Sequence, residues 1–407
     1  MDFDLANLPA NFIENPYPHY AKLRTHSPVY NLPNGGIFLL EYQDVLRVYK
    51  DWTVFSSDKK IEFKPKFGDS LLYEHHTTSL VFNDAPLHTR VRRAIAGALS
   101  PRNTAGINSF VETLIDSLIS DVERLHLNGK IIDAVDDFAK KIPITVICNL
   151  LAIPVDERGA LQDWSIAILS ALEPEISPQQ FDLGERAVKD FKNYLNALVT
   201  RRRSNDVSSA DDIVARLIRE TSGSAKEANL LQNELLHNCI FILNAGHETT
   251  TNLICSGIWL LSQRPDIIVK LNNEPKLWSA AIEEVLRLES PNQLGNRRST
   301  SEFKMGQRIW PAGTSITLGI GAANRDPKVF DQPNQILLNR HNNPHLAFAD
   351  GVHVCAGKAI ARNQSLIALS KLFKRWPRLQ IASGMQRSQR VRFRGFDKLP
   401  LDLLGTS

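Results

Sequence analysis

The stretch LAFADGVHVCAGKAIAR, Leu346 to Arg362, sets one cysteine, Cys355, between two glycines, Gly351 and Gly357, with His353 two positions before it and a helix-forming run after it. A metal held by a single thiolate needs an unprotonated cysteine on a loop that can come close to a flat cofactor, with backbone N–H groups aimed at the sulfur. Gly351 and Gly357 permit such a loop, because glycine adopts conformations closed to other residues and carries no side chain to collide with a ring. AGKAIAR begins a helix, and the positive end of its dipole favours an anion beside it. The competing reading is a buried cysteine beside a turn.

The other three cysteines are far apart. Cys148, Cys239 and Cys255 lie in apolar sequence, and no C-x-x-C pair occurs, which argues against a zinc site or a disulfide framework. At 407 residues the chain is long enough for about two or three cores by size alone. Its 48 basic and 44 acidic side chains nearly cancel, so the net charge of +4 makes no case for nucleic-acid binding. The start, MDFDLANLPANF, lacks the basic-then-apolar order of a secretory signal, and no later segment offers ~18 uncharged apolar residues. These features point to a cytoplasmic protein with no membrane span.

Along the chain, NPYPHYAKLRTHSPVY reads as a short helix and a strand, and GGIFLLEYQDVLRVYKDW as a hairpin strand passing into a helix. Phe55 to Phe82, with Pro65, Gly68 and the cations Lys59, Lys60, Lys64, Lys66, His75 and His76, reads as a long irregular loop. NDAPLHTRVRRAIAGALSPR, with a capping Asn-Asp pair and Val91, Ile95 and Leu99 at four-residue steps, predicts an amphipathic helix that carries His88 and Arg92 on another face. Residues 104–220 are mostly helical patterns broken at Pro143, Pro154, Pro174 and Pro178. From Ala225 to Ser262 one helix of roughly 30 residues is expected. Its interior Asn244, His247, Glu248 and Asn252 exclude a membrane span. A β-rich patch follows another helix, PKLWSAAIEEVLRLESP, and VRFRGFDKLPLDLL predicts a closing strand pair.

Two further patterns stand in order before the cysteine. Glu284 and Arg287 in EEVLR are three apart and share a helix face. NAGHETTT is poor helix sequence in the middle of the long helix, since Gly costs ~1 kcal/mol relative to Ala and Thr can bond back to a preceding carbonyl.

Together, F-x-x-G-x-H-x-C-x-G (Phe348, Gly351, His353, Cys355, Gly357), E-x-x-R and A-G-x-E-T (Ala245, Gly246, Glu248, Thr249) resemble a cytochrome P450 of the soluble bacterial type over nearly all 407 residues. Ala349 stands where that family usually has glycine, and Ala356 where leucine is common. The resemblance implies a mainly α fold with small β-sheets, a triangular helical prism with a minor β-rich region. It implies a single haem domain over 1–407, with β-rich parts near 27–60, 295–320 and the C-terminus. It further implies haem b (iron protoporphyrin IX) with Cys355 as the iron's axial ligand, and His88, Arg92, Arg297 and His353 on the propionates, with Arg298 the alternative to Arg297. Glu284 and Arg287, completed by Arg340, would support the cysteine loop. The turn Ala245–Thr249 would widen to receive O2, with Glu248 and Thr249 as catalytic proton carriers and the Glu248 carboxyl raised by desolvation. His247 reads as a packing residue.

Phe241, Asn244, Gln293 and Leu294 would line the substrate pocket, and the two polar ones suggest a substrate with a polar group on an apolar body. The Lys-rich segment Lys59 to His76 either attracts a carboxylate or is a solvated face. The implied activity is insertion of one O2-derived oxygen atom into a small organic substrate, by hydroxylation or oxidative demethylation. No reductase is fused in this reading, so a ferredoxin and ferredoxin reductase would feed a monomeric enzyme through Arg90, Arg93, Lys358 and Arg362. The rivals are a peroxide-driven peroxygenase and a haem carrier or sensor without turnover.

Overall fold

Ile37–Leu39 is an apolar triplet buried throughout, and it pairs in parallel with Ser315–Gly319, Ile37 opposite Ile316 and Leu39 opposite Leu318. Burial on both faces is what an interior parallel strand requires. Val29–Asn31 adds antiparallel on one side, Leu294–Ser299 lies antiparallel beyond Ser315–Gly319, and Phe55–Ser56 forms the other edge of this five-stranded sheet. The helix Tyr42–Lys50 turns Tyr42, Val45, Val48 and Tyr49 into a core shared with Trp310, Ile320, Phe330 and Leu346.

The computed structural model describes residues 3–99, 106–173, 176–204, 212–222 and 231–404, and over them the chain is mainly α with small sheets. It divides into two compact units. One gathers the described residues of Met1–Phe55, Ser109–Pro143 and Glu248–Ser407, the other those of Ser56–Asn108 and Ile144–His247. The long helix runs over Gln232–Ser262, and residues 225–230 of the expected span lie outside the described residues. The helix is unbroken α through Ala245–Thr249, so the widened turn implied by the resemblance is not seen. No described helix is long and apolar enough to cross a membrane.

Four local expectations are corrected. Phe55 to Phe82 is not an irregular loop but two helices, Lys60–Phe67 and Leu71–Thr78, and a short turn, Leu80–Phe82. Pro65 removes a backbone donor there, but Phe63 packs on Phe67 at 5.4 Å and on Phe82 at 5.2 Å, with His76 against both phenyl rings of the helix. That aromatic burial outweighs the local sequence signal. Pro143 does not break a helix: it lies in the first turn of Lys141–Leu150, where its missing N–H costs nothing. Asp84 is not a cap for Leu87–Ala98, since its carboxylate takes Ser56 Oγ and Ser57 N instead. The C-terminal strands do not pair with each other. Phe396–Lys398 joins Gln386–Arg387, while Pro400–Asp402 lies between Ile132–Asp133 and Gln380–Ile381.

The lysines of the 59–66 segment are committed within their own surroundings. Lys59 meets Glu62 at 2.7 Å and Lys60 meets Asp58 at 2.5 Å, Lys64 pairs with Asp69, and Lys66 donates to the Glu173 carbonyl. Next to them, the Nδ1 atoms of His75 and His237 stand 3.3 Å apart, and His237 Nε2 lies 3.3 Å from Glu74 Oε1. Only one proton fits between the two Nδ1 atoms, so the two rings cannot both be imidazolium. Burial, with Lys192 nearby, pushes His237 down to about 4 despite Glu74, and burial drives His75 well below the ordinary value. The unfolded chain protonates these rings near 6.5, so their contribution is complete above that pH and is lost as pH falls towards about 4. Urea titrations should therefore show stability falling by about 1 kcal/mol per pH unit below 6.5 from His237 alone, and a shallower slope in His237→Gln.

Candidate active site

Helix Trp278–Leu288 carries Glu284 and Arg287 on one buried face, 1% and 0% exposed. The pair is bidentate, with Arg287 Nε to Oε1 at 2.8 Å and Nη2 to Oε2 at 2.9 Å. Arg340 Nε adds a bond to Oε1 at 3.0 Å, Asn343 Nδ2 one at 2.9 Å, and the Leu337 amide one to Oε2 at 2.8 Å. Arg287 spends its remaining donors on the carbonyls of Asn324, Pro333 and Gln335. Burial favours the neutral acid, but these donors and charges hold the Glu284 carboxyl below its ordinary range. The structure thus brings together Glu284, Arg287 and Arg340 as the sequence pattern suggested.

The neighbouring Glu283, which the sequence reading left without a role, clamps both ends of the cysteine loop. Its carboxylate meets His345 Nε2 at 3.0 Å ahead of the loop and Arg362 at 2.7 and 2.8 Å after it. Despite burial, the hydrogen bonds from His345 and Arg362 hold its carboxyl down at about 2. Asn324 completes the frame by accepting from the Leu346 amide at 2.7 Å.

Within that frame the loop turns sharply. Ala349 and Gly351 are in the left-handed region, φ 56° and 66°, and a Cβ on Gly351 would collide with the Tyr49 carbonyl. The Cys355 amide donates to the Phe348 carbonyl at 2.9 Å, closing the loop, and Arg362 lies over the Phe348 ring at 4.7 Å. Cys355 is half-buried, whereas Cys148, Cys239 and Cys255 are buried. Burial pushes the Cys148 thiol up to about 11 and that of Cys239 to about 12. Beyond the cysteine, helix Lys358–Arg375 follows Gly357.

On the long helix, Phe241, Ala245, Glu248 and Thr249 fall on one face by their spacing, and this face is half-buried at Phe241, Glu248 and Thr249 and exposed at Ala245. Gly246 is half-buried against Ile147. Glu248 is not an isolated acid in an apolar setting: it is ion-paired with Arg390 of the C-terminal segment, which the sequence reading missed. A guanidinium there stabilises the ionised form of any carboxylate beside it. Arg390 belongs to R-V-R-F, and Arg392 lies close enough to Tyr49 to act on it alongside Arg297.

The sequence profile described as Cytochrome P450 matches residues 24–390. The chain belongs to the cytochrome P450 family. It is 29% identical to the biotin biosynthesis cytochrome P450 of Bacillus subtilis, covering 96% of this chain and 97% of that one. It is 30% identical to the 6-deoxyerythronolide B hydroxylase of Saccharopolyspora erythraea, covering 96% of each. Among solved structures, P450BioI in complex with an acyl carrier protein ligated to hexadec-9Z-enoic acid aligns with TM-score 0.88 at 28% identity, over 96% of this chain and 99% of that one. The protein is accordingly a P450 monooxygenase, an oxidoreductase that uses a haem-thiolate cofactor, O2 and a small organic substrate.

The residues present fit such a cofactor. No atom lies within 4 Å of where a Cβ on Gly357 would stand, the Cys355 thiol is outside the packed core, and the helix face at Ala245 is open. Strand alternation turns Arg297 inward between Gly295 and Ser299, with its guanidinium 5.4 Å from the Tyr49 ring, while Arg298 reaches towards Gly313. His353 is half-buried in the turn Gly351–His353. His88 is buried and Arg92 half-buried on helix Leu87–Ala98, in the other unit.

The proposed substrate residues divide. Phe241 is on the open helix face, but Asn244 is 3% exposed and points elsewhere. Gln293 packs its amide against Gly321 and donates to the Ser290 carbonyl at 2.8 Å, and Leu294 sits in a core with Phe3, Tyr20 and Phe38. Family-level spacing could not reveal these packing partners, most of which, such as Phe3, Tyr20 and Phe38 around Leu294, come from distant parts of the chain.

Glu284→Gln leaves two buried guanidiniums short of a counter-charge, so it should cost about 3–5 kcal/mol in chemical unfolding. Ala349→Gly should instead gain about 1 kcal/mol by relieving the left-handed backbone, read as a rise in Tm.

Proposed function

We propose that this monooxygenase hydroxylates or oxidatively demethylates a small organic molecule as a cytoplasmic monomer, with a single haem domain holding haem b through Cys355 and with electrons from a ferredoxin and ferredoxin reductase. The observation that carries the reading is the half-buried Cys355, set on a loop clamped at both ends by Glu283. When bound, the haem supplies one-electron and dioxygen chemistry. Cys355 would hold the iron through its thiolate, which would donate electron density to it. His88, Arg92, Arg297 and His353 neutralise the propionates, and the small residues Ala245, Gly246 and Gly357 leave room for the ring and for O2. Glu248, about one-fifth exposed, would take a proton from water and pass it to Thr249 Oγ1 as that hydroxyl gives up its own proton on the side of the O2 site. Hydroxylase names among the relatives support oxygen insertion as the outcome.

The basic patch suggested for ferredoxin is thinner than its sequence implies. Arg90 is paired with Glu234 and Arg362 with Glu283, while Arg93 and Lys358 remain exposed. Docking that uses either of these two exposed cations should therefore weaken modestly with salt.

The reduced protein should give a carbon monoxide complex absorbing where thiolate-ligated haem does, and Cys355→His should move it to the position of histidine-ligated globins. Product formation should need NADPH, ferredoxin and its reductase together. Equal turnover with hydrogen peroxide alone would establish the peroxygenase instead, and no turnover with either would establish a carrier or sensor.

A further inference from the structure

We propose that Arg390 receives the acidic end of the substrate, so that the site selects carboxylate-bearing organic molecules over their neutral analogues. The inference deepens the monooxygenase reading of the same site and rests on it. Arg390 engages Glu248 through Nη1, and Glu248 adjoins Thr249 on the helix face that carries Phe241 and the exposed Ala245. The two side chains are only 19% and 21% exposed, so the pair is sheltered yet not sealed from an incoming anion.

The arginine is held at a fixed place. Arg387 and Arg394, on either side of it, both bind the buried Glu289 carboxylate, Arg394 at 2.7 Å and Arg387 at 3.4 Å. The Arg392 carbonyl accepts from the Gln293 amide at 2.8 Å, and the Arg394 amide donates to the Pro291 carbonyl at 2.8 Å. The Arg390 guanidinium lies 4.8 Å from the Phe393 ring, whose other cation neighbour is Arg392 at 5.4 Å. A guanidinium fixed in this way offers a planar fork that matches a carboxylate bidentately, which a neutral ester or amide cannot reproduce.

The lysines of the 59–66 segment already meet Glu62, Asp58, Asp69 and the Glu173 carbonyl, whereas Arg390 meets its carboxylate in a half-buried pair next to Thr249. A substrate carboxylate that takes the Arg390 fork competes with Glu248 for it. Glu248 is then released for proton transfer at the moment the substrate arrives.

The test uses the haem-loaded full chain and the spectral shift that accompanies ligand entry. Dodecanoate, 4-phenylbutyrate and a cyclic terpene acid are titrated, each against its methyl ester. The acids should bind more tightly than the esters, and Arg390→Gln should weaken the acids ~10- to 100-fold while changing the esters less than ~3-fold. Arg390→Lys, which keeps the charge and loses the fork, should fall between. Esters binding as well as acids in the wild type, equal weakening of both by Arg390→Gln, or no shift with any of the three acids would overturn the proposal. The carbon monoxide complex, recorded on the same samples, separates the two readings. If it is thiolate-type, only the carboxylate assignment has failed; if it is not, the monooxygenase reading has failed with it.

Discussion

One buried carboxylate organises the cysteine side of this molecule. Glu284 is almost wholly out of water, and burial alone would discharge it; six donors from Arg287, Arg340, Asn343 and the Leu337 amide make the charged state the stable one. Because those donors come from a helix and from one stretch of irregular chain, the carboxylate determines where the segment from Pro333 to Asn343 runs. That segment delivers the chain to His345, and His345 and Arg362 close on Glu283, one residue from Glu284. Two adjacent acids on one helix therefore divide the labour: the first brackets the cysteine loop, and the second fixes the approach to it.

What could be read from the sequence follows from the range of each interaction. Glu284 and Arg287 are one helical step apart, so their pairing needs only local spacing, and the long helix announces itself by an apolar run free of proline. Glu283 was silent because its partners lie 62 and 79 residues away and have no local pattern in common with it. Gln293 is a mixed case: its polarity suggested a pocket, but its amide nitrogen donates to the Ser290 carbonyl nearby and to Tyr17 Oη 276 residues away, and the amide packs on Gly321. Between Phe55 and Phe82 the breakers Pro65 and Gly68 were given more weight than they bear, since phenyl and imidazole rings brought together by the chain's return at Phe82 repay the disrupted helix. The left-handed Ala349 is a case where a departure visible in the sequence has a structural consequence: alanine occupies a backbone conformation that suits glycine.

The arginines near the C-terminus were the least legible. Arg390, Arg392 and Arg394 alternate as they would on one face of a strand, and the expected closing strand pair begins at Val391, inside this run. The backbone there pairs through a single antiparallel bridge, Phe393 to Asn292, and each guanidinium finds a different partner: Glu248 for Arg390, the surroundings of Tyr49 for Arg392, and Glu289 for Arg394. Alternation places side chains on a face, but it does not say which partner each of them finds.

That divergence bears on how substrate and chemistry communicate. Arg390 cannot hold a ligand's carboxylate in its full fork and keep its bond to Glu248 unchanged, so the two acids are linked: whatever free energy the ion pair contributes is subtracted from the affinity for an acidic ligand. The exposure of the pair keeps that contribution modest, which leaves acid binding favourable while still changing the state of Glu248 on arrival. An acid held permanently by its arginine would be a poor proton carrier, and one never held would stay open to leakage without substrate. A pair that is sheltered and exchangeable, on a backbone whose flanking Arg387 and Arg394 are tied to Glu289, lies between those limits, and it places selectivity for the ligand and readiness of the proton carrier on a single guanidinium.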